Sequence, residues 1–185
     1  MIREINQDAE DRMRKAIETL RKEFTSLRAG RANPSMLDKV TVDYYGVPTP
    51  VNQLANVAVP EPRMMMIQPW DKSSLPSIEK AILKSDLGLN PSSDGQVIRI
   101  VIPQLTQERR SELVKVVKKK TEDTRVAIRN IRRDANDHIK LLEKEHEVSE
   151  DDAKRGQEDM QKATDKFIKE VDHLYTVKEQ EIMEV

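Results

Sequence analysis

The chain has 185 residues, 35% of them charged and 3% aromatic, with a net charge of −1 and no cysteine. Disulfides and thiolate metal sites are thereby excluded, and no apolar run approaches the roughly 20 residues of a membrane span. The near-zero charge balance by itself names no polyanionic partner. The opening MIREINQDAEDRM is acidic and helix-periodic from the start, unlike a signal or transit peptide, so the expectation is a soluble cytoplasmic protein.

Two compositions share the chain. All nine prolines lie between Pro34 and Pro103, and four of the five glycines lie between Gly30 and Gly95. That break predicts a turn-rich domain, residues 31–104, inserted into a helical one made of residues 1–30 and 105–185.

The first helix is expected over about residues 2–29. Ile2, Ile5, Ala9, Met13, Ile17, Leu20, Phe24 and Leu27 recur every three or four positions and form one stripe. Gly30 suits the left-handed position that ends a helix, and Pro34 blocks its resumption. In the inserted stretch, KVTVDYY (39–45) alternates as a half-buried strand, with Gly46 and Pro48 turning the chain. RMMMIQPW (63–70) is a second strand, in which Met64–Met66 are adaptable packing. SLPSIEKAILKS (74–85) is a helix with Ile78 and Ile82 inward, GLNPSSDG (88–95) a loop, and VIRIVIP (97–103) a third strand. Core or edge packing is expected of Tyr44, Tyr45 and Trp70, with a recognition surface as the other reading.

The second long helix should run from about Thr106 to Lys144 with a core side of Val117, Thr124, Ile128, Ile131, Ala135 and Leu142. SEDD (149–152) opens a third, which continues through Ala153, Gly156, Met160, Ala163, Phe167, Val171, Leu174, Lys178 and Ile182. Three such stripes predict a long three-helix bundle. The fold class is therefore α+β, a bundle carrying a small inserted β/α/β domain. Chain crossings near Arg28–Arg31 (Arg28, Gly30, Arg31) and Pro103–Leu105 (Pro103, Gln104, Leu105) would permit a hinge but not free tumbling.

Net charge conceals a strong asymmetry. Residues 109–144 hold twelve Lys/Arg against six Asp/Glu, whereas residues 145–185 hold six against thirteen. At roughly 100° per residue, and between residues 115 and 140, Lys115, Lys118, Arg125, Arg129, Arg132, Arg133 and Lys140 fall within about 60° of Lys118, with Glu122 the one acid among them. Arg110 sits at the sector's edge. A solubilising face normally interleaves its signs; this one segregates them and favours arginine, whose planar fork contacts phosphates in pairs. The pattern points to phosphate-backbone binding, with pairing to the acidic third helix as the structural alternative.

Catalysis finds little support. The only histidines are His138, His146 and His173, and no HExxH, nucleophile elbow, Walker loop or GxGxxG occurs. His138 falls near the apolar side of its helix, where a half-buried core role is expected. No metal or cofactor site is proposed, and acid pairs such as Asp151–Asp152 suit a helix N-terminus.

LRAGRANPSMLD (27–38), VDYYGVPTP (42–50), IQPWDKS (67–73), AILKSDLGLNP (81–91), LTQERR (105–110), AIRNIRRDAND (127–137) and SEDD (149–152), in this order, resemble the bacterial ribosome recycling factor family over essentially the whole chain. The resemblance implies an L-shaped, two-domain protein, monomeric and not an enzyme, with no cofactor, membrane or small-molecule substrate. It implies binding to large-subunit rRNA of the post-termination ribosome and, with elongation factor G and GTP, subunit splitting with release of mRNA and tRNA. It carries rRNA contact onto Arg110, Arg129 and Arg132; Arg125, Arg133 and Lys118 join them from the helical sector alone. The competing class is a helical-bundle adaptor or chaperone-like protein that binds a protein partner.

Overall fold

The computed structural model describes residues 1–27 and 30–184. The chain divides into two compact units, Met1–Arg28 with Thr106–Val185, and Ala29–Leu105.

The first unit is built from three helices, α1 (Ile2–Ser26) and two longer ones treated below as α4 (Gln107–Lys144) and α5 (Glu150–Met183). Their stripes meet along a common core. Met13, Ile17, Leu20 and Phe24 of the first face Val117, Ile128 and Ile139 of the second and Met160, Phe167 and Val171 of the third, all buried. Each such side chain stabilises the unit by about 1.5–3 kcal/mol relative to exposure. Helix α1 stops at Ser26 rather than at the expected residue 29, because Leu27 is already extended and its carbonyl accepts from the buried Lys178 ammonium at 3.2 Å. Gly30 does adopt a left-handed φ of +77°, but four residues past the helix end; there a Cβ would meet Leu105 Cγ at 3.2 Å. Thr121, not Thr124, is the buried threonine of α4, its hydroxyl donating to the Val117 carbonyl at 2.7 Å. His138 is exposed rather than half-buried in the core.

Both turns of the helical hairpin are chemically legible. Ser149 caps α5 by accepting from Asp152 N–H at 3.0 Å, with Glu150, Asp151 and Asp152 in the first turn favouring the positive helix end. At the end of α4, Glu147 N–H reaches the Leu142 carbonyl and His146 N–H the Glu143 carbonyl, with His146 at φ +57°. That is a Schellman termination with histidine in the place usually taken by glycine.

The second unit contains β1 (Thr41–Tyr44), β2 (Val47–Pro50), the single-turn helix α2 (Val51–Leu54), β3 (Ala55–Glu61), β4 (Met64–Pro69), α3 (Leu75–Lys84), β5 (Pro91–Ser93) and β6 (Ile98–Val101). β1 and β2 form an antiparallel hairpin; the other strands make an antiparallel sheet in the order β3-β4-β6-β5. Ile78 and Ile82 of α3 pack with Met65, Ile67, Ile98 and Ile100 in the core of this unit. Met65 is fully buried while Met64 and Met66 are half-buried, which is the packing role expected for the triplet.

Three strands were not anticipated. β2 and β3 follow one another through a proline-rich stretch, and Pro60 is tolerated because β3 is an edge where a missing N–H breaks no ladder. The stretch expected as a loop over 88–95 contains β5, made strand-like by pairing Pro91–Ser93 with Ile98–Ile100 rather than by its own propensities. Trp70 and Tyr45 are 69% and 83% exposed, against the packing role expected of them. Tyr44 is half-buried, and its hydroxyl donates to Asp71 Oδ2 at 3.4 Å.

Candidate nucleic-acid interface

The long, proline-free run from Gln107 to Lys144 folds as one uninterrupted helix, which is why residues far apart in sequence can share one face. Thr106 caps its start, accepting from Arg109 N–H at 3.1 Å. The six residues read as candidates all lie on it, yet the structure sorts them into three kinds.

Arg110 is buried. One guanidinium nitrogen donates to the Met183 carbonyl at 3.4 Å, near the end of α5, and its Nε is buried with no partner among the described residues. In this conformation it ties α4 to α5 and presents little to a ligand.

Arg125 is committed to its own chain. Its Nε and Nη2 both donate to Asp172 Oδ1, at 2.8 and 2.6 Å, and its Nη1 to Glu122 at 3.1 Å. Burial works against the charged form, but the hydrogen bonds to Asp172 and Glu122 outweigh it and raise the pKa above the ordinary arginine value. Here the intramolecular alternative, pairing with the acidic third helix, is realised.

Lys118, Arg129, Arg132 and Arg133 remain. Arg129 makes a single 3.5 Å contact with Glu122 and Arg132 one of 3.2 Å with Gln161 Oε1, while Lys118 and Arg133 are exposed with no ion pair among the described residues. Gln161 is steadied in turn by donating to Asp165 at 2.8 Å. Asp134, three residues before Asp137, faces α1 instead, where Arg12 lies 3.6 Å away. Glu122 stays within the sector, paired with Arg125 and Arg129, while Lys118, Arg129 and Arg133 are exposed and Arg132 is half-buried.

Sequence reasoning missed Asp172, Gln161 and Asp165, the α5 groups that determine which arginines are occupied. Their spacing along α5 was visible, but which turn of α4 they oppose was not. Among the described residues no three His, Cys, Asp or Glu side chains gather as a metal site, and no described helix is long and apolar enough to cross a membrane.

Of the crossing residues, Arg28 lies outside the described ones. Gly30 is buried, Leu105 is half-buried against it, and Arg31, Pro103 and Gln104 are exposed.

The sequence profile of ribosome recycling factor matches residues 20–183. The chain belongs to the ribosome recycling factor family. It is 69% identical to the ribosome-recycling factor of Desulfitobacterium hafniense and 66% identical to that of Heliobacterium modesticaldum, each over 100% of both chains. Among solved structures, the solution structure of a ribosome recycling factor matches with a TM-score of 0.76 at 43% identity, covering 100% of this chain and 98% of that one. A second match has a TM-score of 0.64 at 48% identity and covers 100% of both chains. It comes from models of the T. thermophilus ribosome recycling factor and the E. coli elongation factor G bound to the E. coli post-termination complex. The family thus agrees with the resemblance carried by the motifs, and the fold is that of its solved members.

Proposed function

We propose that this protein recycles ribosomes after termination. It binds large-subunit RNA of the post-termination complex through the cations Lys118, Arg129, Arg132 and Arg133 of α4 and acts there with elongation factor G, whose GTP hydrolysis drives subunit separation and release of mRNA and tRNA. The observation that carries the RNA part is the group Lys118, Arg129, Arg132 and Arg133 on one side of a single uninterrupted helix, three of them exposed and Arg132 half-buried, with Glu122 as the acid among them. Such a group lays its charges along one line that a phosphate backbone can follow, and releases counterions on contact. The factor is a translation factor with no chemistry of its own, and it works in the cytoplasm.

Arg110 and Arg125 belong to this reading differently from the other four. Arg125 stiffens the platform through Asp172, and Arg110 has to rotate away from Met183 before it can reach a phosphate. The crossings at Gly30–Arg31 and Pro103–Leu105 are proposed as the pivot through which the inserted unit follows its partner; the left-handed Gly30 supports it there. The adaptor reading loses ground to the family, since its members share this chain's full length.

Binding of the full-length protein to purified large ribosomal subunits across a salt series tests the anchor. Wild-type affinity should fall by about 0.7–0.9 log units per log salt for each phosphate neutralised. Arg132→Ala and Arg133→Ala should each bind more weakly with a flatter slope. Wild-type binding by both variants would refute the RNA anchor and return the face to a solvated role.

A further inference from the structure

Helices α4 and α5 pack side by side in opposite directions, and two cross-helix contacts lie along the seam between them. Arg125 meets Asp172, 47 residues on, and Arg132 meets Gln161, 29 residues on, the separation shrinking toward the turn that joins the helices. The two arginines stand roughly two turns apart on α4, and Gln161 and Asp172 roughly three turns apart on α5, so each pair shares one side of its helix. Arg125 and Arg132 thus occupy equivalent places, and what differs is the group that α5 sets opposite each. Arg125 faces carboxylates: its Nε, Nη1 and Nη2 all donate, to Asp172 and Glu122. Arg132 faces the neutral amide of Gln161 and has no ion pair among the described residues.

That amide has only one orientation open to it. An arginine donates and never accepts, and a carboxylate accepts and never donates. The Gln161 Oε1 therefore faces Arg132 Nη1 at 3.2 Å, and its Nε2 faces Asp165 Oδ1 at 2.8 Å. Asp165 lies one turn along α5, so the amide is fixed from its own helix. Donating to a carboxylate also polarises the amide and makes its oxygen a better acceptor. Arg132 is held by one N–H while four remain, enough for the paired contact that a guanidinium makes with a phosphate. A long side chain loses rotamer freedom when an interface immobilises it, and a partner that orders it beforehand lessens that loss. A carboxylate in this place would order Arg132 equally but would neutralise it, as Asp172 and Glu122 do to Arg125.

We infer that Gln161 is a positioning residue for the RNA contact: it sets the Arg132 guanidinium ready for a backbone phosphate and leaves its charge intact, with Asp165 fixing the amide. This rests on the RNA-anchor reading above and deepens it. It gives α5, the acidic helix, a part in binding RNA that its net charge does not suggest.

The test titrates full-length wild type, Gln161→Ala, Gln161→Glu, Arg132→Ala and the double variant Gln161→Ala with Arg132→Ala on purified large ribosomal subunits across one salt series. All titrations run well below each variant's unfolding midpoint, so that loss of fold does not pass for loss of binding. Gln161→Ala should bind about three- to tenfold more weakly with an unchanged salt slope, because Arg132 keeps its charge and loses only its order. Gln161→Glu should bind more weakly with a slope flatter by up to about 0.7–0.9, one phosphate's worth, as Arg132→Ala should. In the Arg132→Ala background, Gln161→Ala should have no further effect. If Gln161→Ala loses less than about threefold while Arg132→Ala binds weakly, the positioning role is overturned and the anchor stands. If Arg132→Ala itself binds like wild type, the anchor at Arg132 and the positioning role fall together. An equal loss from Gln161→Ala with and without Arg132 also overturns the role, since Gln161 then acts on its own. So does wild-type affinity and slope in Gln161→Glu, because a neutral acceptor is then not what the site requires.

Discussion

Arg125 and Asp172, 47 residues apart in sequence, are joined by two hydrogen bonds to one carboxylate oxygen, at 2.8 and 2.6 Å. Eight residues further along the same helix Arg133 has no ion pair among the described residues and is exposed. On the proposed reading the two arginines divide the work, Arg125 holding the fold and Arg133 the RNA. Arg125→Ala should lower stability by about 1 kcal/mol, the ordinary worth of a partly exposed bidentate pair. It should alter subunit binding little once the protein is folded. Arg133→Ala should leave the denaturant midpoint within about 0.5 kcal/mol of wild type while weakening subunit binding. Equal effects of both substitutions on both measurements would dissolve the distinction.

At Gly156, α5 packs closely against the start of α1. A Cβ there would meet Ile2 Cγ2 at 2.6 Å and Ile139 Cδ1 at 3.3 Å, and the Gly156 carbonyl accepts from Asn6 Nδ2 at 3.0 Å. Two effects compete in Gly156→Ala. Alanine improves helix propensity by about 1 kcal/mol, while overpacking a fitted interface costs about 1–3 kcal/mol. The 2.6 Å approach decides for the second, so the variant should be less stable by about 1 kcal/mol. Ile2→Ala removes the obstructing group, and in that background Gly156→Ala should become stabilising. A double-mutant cycle by denaturant unfolding reads the coupling directly.

How far the sequence reveals all this depends on the range of the interaction concerned. Met13, Ile17, Leu20 and Phe24 are legible as core because the helical period is a local property, and all four are buried. The same period puts Lys178 in the stripe of α5, and it is buried, its ammonium reaching the Leu27 carbonyl just past the end of α1. Thr121 and Thr124 both lie near the stripe of α4, and only packing chooses Thr121 as the buried one. β5 was invisible for a different reason: Pro91, Ser92 and Ser93 have no strand preference, and the pairing that makes them a strand comes from β6. The cationic face was legible as a pattern on one helix, but its division into occupied and open arginines depends on α5, which no window along α4 contains.

His146 closes the Schellman turn at φ +57°, a conformation that costs a β-carbon-bearing residue roughly 1 kcal/mol relative to glycine. His146→Gly keeps the bonds from Glu147 N–H to Leu142 and from His146 N–H to Glu143, since both use backbone groups only. The variant should therefore be more stable, with a higher denaturant midpoint, by somewhat less than about 1 kcal/mol because glycine also gains freedom in the unfolded chain. A lower midpoint would mean that the imidazole itself makes a contact the turn depends on.

Asp94 offers a pH-dependent test of the inserted unit. The backbone N–H groups of Val97 and Gln96 donate to its carboxylate at 3.0 and 2.9 Å, and Arg99 Nη1 does so at 2.9 Å. These bonds, the Val97 one foremost, hold its pKa at about 2, below the 3.8 of a free aspartate. The folded state thus favours the charged form. Its contribution is fully present above the unfolded pKa and is lost as pH falls from about 4 through about 2. The carboxyl resonance of Asp94 should accordingly titrate near 2 in the folded protein, and Arg99→Ala should move that midpoint upward without bringing it to the free value, since the two backbone donors remain. Asp94→Asn should reduce the loss of stability across the same interval. A midpoint near 3.8 in the wild type would mean that the turn between β5 and β6 does not hold its carboxylate in this way.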